Sequence, residues 1–294
     1  MDYIRKNFRL AHLLLFLVAL IYGANYSIAK IVLDPGIIGA NGFILLRIVV
    51  ATVLFVLFFG LPKRVNKSDH LELIICSITG VLANQLLFFN GLALTSPIHA
   101  ALIMVCTPLL VLILSTIEGK ILSRINWLGC GIGFVGAVGL IMSGNPKDSR
   151  GGNWVGDLLV LANAISYAFY LTRIPKLLNK YSAFDIMKWI FLIACFMCLP
   201  FGFKEIGRVN WAGFTNTEWY SLGFVLVCTT FLAYTFNAKA LVLSDSSLVS
   251  NYIYLQPLIA VIFALIMKKG DLSANITISG LLIIAGVFLS GRRD

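Results

Sequence analysis

The sequence predicts an all-α integral membrane protein of ten transmembrane helices arranged as two inverted five-helix repeats. Three observations carry that expectation. Of the 294 residues, 59% are hydrophobic and only 12% charged, with a mean hydropathy of +0.92, whereas a soluble domain is roughly 25% charged. Ten apolar stretches have the length of about 20 residues that a bilayer core demands. The two halves of the chain also carry matching residue patterns at an offset of 147 positions, half its length.

The stretches run over 10–30, 41–61, 71–94, 97–117, 125–143, 155–174, 184–203, 218–240, 247–267 and 274–290. Turn and charge signals such as LPKRVNKSD (61–69), SGNPKDSRGGN (143–153) and KKGD (268–271) separate them. Almost no connection is long enough to fold alone, so any chemistry belongs inside the bundle. The first stretch follows Arg5, Lys6 and Arg9, but its apolar run is too long for a cleaved signal peptide and lacks a small-residue cleavage site; it reads as a retained helix. With the amino terminus inside, fourteen of the 23 basic residues fall on that side and seven on the other, while Arg47 and Lys188 lie within spans. This bias predicts a multi-pass protein of the cytoplasmic (inner) or plasma membrane with both termini cytoplasmic.

The net charge of +10 is scattered over short loops rather than gathered on one face, so the partner it implies is the lipid bilayer and not nucleic acid. All six cysteines lie in apolar stretches, where a thiol packs as a small hydrophobe. Cys195 and Cys198 form a CxxC, but no second pair or nearby His completes a metal site, and no cofactor is expected.

The repeat is clearest where NGLALTSPIHAALIMVCTPLL…GFVGAVGLIMSG (90–144) is laid over NAKALVLSDSSLVSNYIYLQPLI…GLLIIAGVFLSG (237–291). Asn90 pairs with Asn237, Pro108 with Pro257 after a two-residue shift, and Gly133, Gly139 and Gly144 with Gly280, Gly286 and Gly291. A weaker match sets 14–30 over 158–173, pairing Ile21 with Ile165 and Tyr26 with Tyr170. Two repeats follow, 10–144 and 155–291. Five spans each is an odd number, so the second repeat enters the membrane from the opposite side, the plan that many secondary carriers share.

At these residues the chain resembles the drug/metabolite transporter superfamily, as two tandem EamA-type domains. LIYGANYSIAK (20–30) is similar to that family's first-helix pattern, with Tyr22 where Trp is common; ILLR (44–47) resembles its second helix, and TPLLVLILSTIEGKI (107–121) the Pro-to-Glu stretch closing the fourth. The matching second-half stretch QPLIAVIFALIMKKGD (256–271) keeps Pro257 but ends in Asp271 with no Glu, which departs from a paired-carboxylate pattern. The resemblance implies a ten-helix transporter of metabolites, amino acids or related small-molecule solutes.

Polar residues in mid-span must find a partner in the bundle or line a wet cavity. Tyr22, Asn25 and Tyr26 share one face of the first span, Asn163, Tyr167 and Tyr170 one face of the sixth, and Thr230, Tyr234 and Asn237 one face of the eighth. Asn84 and Gln85 lie mid-way in the third span; Asn251, Tyr254 and Gln256 lie in the ninth. Together they predict a cavity of amides and phenols suited to a neutral or zwitterionic organic solute. For any one of them the competing reading is an interhelical hydrogen bond worth about 0.6 kcal/mol.

Arg47 sits about two turns inside its span, where a charge costs up to about 3 kcal/mol. It either holds a substrate carboxylate or pins helices; it is assigned with Pro108 and Pro257 to a structural or gating role. Lys188 is expected to snorkel to the interface. Glu72, Glu118, Asp157 and Asp185, and His12, His70 and His99, lie near span ends, which leaves the coupling mode open. The expected function is a carrier for a small organic metabolite, and monomer and homodimer are both open. The alternatives are a membrane enzyme acting on lipid, a channel, or a scaffold for a partner protein. No His-Asp, His-Glu or Ser-Lys constellation with helical spacing supports the first, and a channel favours rings of like residues from symmetric subunits.

Overall fold

The computed structural model describes residues 2–33, 37–95, 100, 103–119, 123–142, 154–259 and 274–290, with the side chains of 2–7, 26, 27, 30, 140–142, 276 and 290 outside the described part. Among the described residues there is no strand. The helical runs are α1 (Asp2–Leu33), α2 (Ala40–Phe59), α3 (Lys67–Leu94), α4 (Thr107–Ile117), α5 (Arg124–Met142), α6 (Trp154–Arg173), α7 (Ala183–Ile206), α8 (Asn216–Leu243), α9 (Ser246–Asn251, continued by a 3-10 turn at Tyr252–Tyr254) and α10 (Ala274–Ser290). Six of them, α1, α2, α3, α6, α7 and α8, contain stretches long and apolar enough to cross a bilayer; α4 and α10 are shorter apolar helices.

The surface inverts the rule for water-soluble proteins. Leu57, Phe58, Ile117, Phe203 and Phe288 point outward, while Asn25, Arg47, Gln85, Asn163, Thr230 and Asn251 are buried. Such a distribution costs free energy in water and is favourable in lipid, where exposed apolar side chains lose nothing and polar ones must pair inside.

The principal contacts join α5 to α10, α2 to α7, α3 to α6 and α1 to α8. Exchanging every helix for the one five places along maps this set onto itself: α2/α7 and α5/α10 are unchanged, and α1/α8 becomes α6/α3. The α5/α10 seam is close because it is built on glycine. A Cβ on Gly136 would lie 2.8 Å from the Ile283 backbone nitrogen, and one on Gly286 would fall within the Gly133 backbone. Such small-residue seams let helix backbones gain dispersion contacts where lipid offers no hydrophobic drive.

Two long helices are locally under-wound. Ile78–Leu82 in α3 and Val225–Leu232 in α8 are π-helical, and the two segments begin 147 residues apart, the offset of the sequence repeat. Helix breaks are related too: a turn at Val105–Cys106 precedes Pro108 at the start of α4, and the 3-10 turn Tyr252–Tyr254 precedes Pro257. Pro108 therefore opens a helix, where its missing N–H costs nothing. Pro200 lies inside α7.

The two ends of the bundle are tied differently. At one end, Arg173 grips Glu72 with two bonds (2.7 and 2.6 Å), Lys180 reaches Asp69 (2.7 Å), and Lys188 pairs with Asp185 (2.8 Å). The Lys188 ammonium is buried at this end of the bundle. It is 3% exposed and donates to the Phe59 and Leu61 carbonyls (both 3.0 Å), satisfying acceptors at the α2 C-terminus, where the helix dipole favours a cation. Lys180 lies in the loop between α6 and α7, and its bond to Asp69 raises its pKa above the ordinary lysine value. At the other end, Glu205 of α7 accepts from the Gly42 backbone N–H (2.8 Å) and from Asn41 Nδ2 (3.0 Å), placing a carboxylate on the α2 N-terminus. Thr95 donates to Asp157 (2.5 Å) at that same end.

Two α5 glycines make a controlled test of the seam. A Cβ on Gly133 would meet the Tyr254 ring at 2.6 Å, whereas nothing lies within 4 Å of one on Gly131. Gly133→Ala is expected to destabilise by about 1–3 kcal/mol through overpacking, and Gly131→Ala to be neutral or slightly stabilising, as read by thermal unfolding in detergent.

Candidate functional site

A central cavity opens between α1, α2, α3, α6, α8 and α9, enclosing about 780 Å³ with its open mouth included. Helix α1 presents Leu15, Val18, Ala19, Tyr22 and Asn25, a stripe at steps of three and four residues that keeps one helical face on the cavity.

The π-turn in α3 builds the opposite wall. A π-turn breaks the regular i to i−4 ladder and frees carbonyls for other donors. Around it, the Thr79 carbonyl accepts from Ser166 (3.0 Å), the Gly80 carbonyl from Tyr234 Oη (3.1 Å) and the Asn84 carbonyl from Asn163 Nδ2 (2.6 Å). These bonds fix the α6 and α8 side chains against α3 and leave Asn163 Oδ1 buried without a partner. Gly80 also seats the Tyr170 ring, which stacks on Tyr167 with centroids 5.9 Å apart. Gln85 is 2% exposed, and its Oε1 has no bonding partner; the Tyr234 hydroxyl, which donates to the Gly80 carbonyl, faces the Gln85 amide and its oxygen can accept from Nε2.

The π-turn in α8 builds the third wall. Thr230 donates to the Val225 carbonyl five residues back (2.9 Å), a spacing that a π-turn provides, and its oxygen accepts from Arg47 Nε (2.9 Å). Its neighbour Thr229 donates to Asn25 Oδ1 (3.2 Å) and joins α8 to α1. The Arg47 guanidinium lies over the Phe89 ring at 4.3 Å and near Phe43 at 5.6 Å. It is 3% exposed, and its Nη1 has no hydrogen-bonding partner.

Of the residues expected at a site, Tyr22, Asn25, Asn84, Gln85, Asn163, Tyr167, Tyr234, Asn237 and Gln256 line this one cavity, and Arg47 lines it with them. Others lie behind the wall. Thr230 holds Arg47 from behind, and Tyr170 rests on Gly80. Asn251 is fully buried with both amide atoms unpartnered. Tyr254 donates to the Cys130 carbonyl (3.1 Å) and packs on Gly133, which makes it a pin between α9 and α5. The Tyr26 side chain and His99 lie outside the described residues. Pro108 and Pro257 are buried and absent from the lining.

Thr229, Tyr252, Phe88, Phe89 and Met104 line the cavity without having been singled out from sequence. For two of them the reason is geometric. A uniform 3.6-residue period puts Thr230 on the face of Tyr234 and Asn237, but the π-turn rotates the chain so that Thr229 faces inward. The 3-10 turn in α9 likewise presents Tyr252 and Gln256 instead of Asn251 and Tyr254. Tyr252 also meets His12 Nδ1 at 2.6 Å beside the cavity.

Thr230→Val removes the acceptor of Arg47 Nε and is expected to destabilise by about 1–3 kcal/mol in thermal unfolding, because a buried donor is left unpaired. Thr230→Ser keeps the oxygen and is expected to retain most of the stability.

The EamA-like transporter family matches residues 9–142 and 154–292. An uncharacterized transporter of Archaeoglobus fulgidus is 26% identical over 96% of this chain and 98% of its own length. The uncharacterized transporter YetK of Bacillus subtilis is 24% identical over 92% and 83%, and the uncharacterized inner membrane transporter YicL of Salmonella typhimurium is 22% identical over 93% and 92%. A solved crystal structure shares the fold across 97% of this chain and 99% of its own, with a TM-score of 0.74 at 16% identity. With apolar helices long enough to span a bilayer and a family match over most of its length, the chain is a multi-pass membrane protein that belongs to the EamA-like transporter family.

Proposed function

We propose that this protein is a secondary carrier, not an enzyme, which moves a small organic solute through the central cavity by alternating access. The carrying observation is a central cavity whose wall draws polar side chains from both halves of the chain. Asn25, Arg47, Asn84 and Gln85 come from the first half and Asn163, Tyr234, Asn237 and Gln256 from the second. Two halves around one site are what a rocking mechanism requires.

Further support comes from the helix contacts, which map onto themselves under a five-place exchange, and from the π-turns spaced at the repeat offset. In this reading 10–144 and 155–291 are the inverted repeats, all ten helices cross the cytoplasmic membrane, and both termini are cytoplasmic. Pro108 and Pro257, each just after a helix break, are hinge positions. The binding residues are Tyr22, Asn25, Asn84, Gln85, Asn163, Tyr167, Tyr234, Asn237 and Gln256, joined by Thr229 and Tyr252. An enzyme acting on lipid would instead need a nucleophile with an acid–base partner near the interface; this wall offers amides and phenols in mid-bundle.

Gln85 provides the test, because its buried Oε1 has no partner in the bundle, a cost to folding unless a solute uses it. Gln85→Leu is expected to leave thermal stability unchanged or higher in detergent. It should also weaken the uptake of a transported solute into proteoliposomes by about tenfold, the effect of about 1.4 kcal/mol. The screen covers amino acids, nucleosides, sugars, organic acids and cationic drugs, read first by the rise in unfolding temperature and then by flux. Solutes that stabilise the protein but never cross the vesicle would favour a binding or scaffold role.

A further inference from the structure

Resting on the carrier reading, we infer that the transported solute is a monoanion carrying a carboxylate, and that Arg47 is the residue that binds it. Arg47 carries the one full charge among the described lining residues. Among the described lining residues there is no Asp or Glu, and the remaining polar groups are amides, phenols and a hydroxyl. Arg47 is 3% exposed and always protonated, and among the described residues no carboxylate pairs with it. Thr230 takes Nε and Phe89 covers one face of the guanidinium, while Nη1 is buried with no acceptor. A helix-pinning role is fulfilled by Nε alone and gives no use to Nη1.

The ligand chemistry follows from what is missing. An anion would supply the absent counter-charge, and a guanidinium presents a pair of N–H groups matched to a carboxylate. Gln85, on the same cavity, is a buried amide and faces the Tyr234 hydroxyl. One cation matches one negative charge, which selects a monoanion over a phosphate dianion. Phe88, Phe89 and Tyr167 give the remainder of the solute an aromatic and organic wall.

The experiment uses the full-length protein in lipid nanodiscs at fixed ionic strength, with acetate, pyruvate and benzoate set against benzamide, benzylamine and inorganic phosphate. At least one carboxylate is expected to raise the unfolding temperature saturably, with benzoate binding at least tenfold more tightly than benzamide and phosphate giving no shift. Arg47→Gln is expected to weaken carboxylate binding at least tenfold, while Thr230→Ser retains it. If Arg47→Gln does not fold, the comparison of benzoate with benzamide on the unsubstituted protein decides alone. The assignment is overturned if no carboxylate binds, if benzamide or benzylamine matches benzoate, or if Arg47→Gln binds carboxylates undiminished. Proteoliposome flux separates the two readings. Uptake of a neutral solute that Arg47→Gln leaves intact removes the anion assignment and keeps the carrier. Carboxylate binding lost on Arg47→Gln, in a protein that moves no solute, keeps the anion site and removes the carrier.

Discussion

Hydrocarbon cannot hydrogen-bond, so each backbone or side-chain polar group within the bundle must find its partner inside the protein. The cavity depends on how α3 and α8 meet that constraint. Each contains a π-turn, and the carbonyls around these turns take the donors that build the walls: Ser166, Tyr234 and Asn163 on α3, and Thr230 within α8 itself. One local departure from regular helix thereby orients three helices around a single space. Thr230 then transmits the geometry of its turn to Arg47, the one charge among the described lining residues.

The ends of the bundle carry a different chemistry. Arginine and lysine on α6, α7 and the loop between them meet acids and carbonyls of α2 and α3 at one end, and Glu205 meets the α2 N-terminus at the other. Helix α2 is thus held at both termini by its neighbour α7, by a cation where its carbonyls are open and by an anion where its N–H groups are open. The helix dipole favours both placements. These ties join the first half of the chain to the second. In the proposed cycle they are the contacts that hold the halves in the arrangement seen here.

Within the repeated plan, side chains break the symmetry. Asn237 faces the cavity, while its partner in the repeat, Asn90, bonds to Asn41 and the Leu86 carbonyl and ties α3 to α2. The position 147 residues beyond Arg47 is Ala194, which is fully buried and apolar. The backbone repeats, but the charge is present once. The proposed preference for a monoanion rests on that asymmetry.

Much of this protein was determined by its sequence alone. Its composition and the length of its apolar stretches dictated helices in lipid, because no other open structure satisfies the backbone there. The polar stripes of α1 and α6 indicated cavity-facing residues such as Tyr22, Asn25, Asn163 and Tyr167, whereas which helix the glycines of α5 meet came from the structure. The tertiary structure decided what a constant helical period cannot express. The π-turn brought Thr229 to the wall in place of Thr230, and the 3-10 turn chose Tyr252 over Asn251 and Tyr254. Burial under the α2 C-terminus turned Lys188 onto the Phe59 and Leu61 carbonyls. In each case the side chain is held by a hydrogen bond to a residue distant in sequence, Thr229 to Asn25, Tyr252 to His12 and Lys188 to the Phe59 carbonyl, which pairs a group that lipid would leave unpaired.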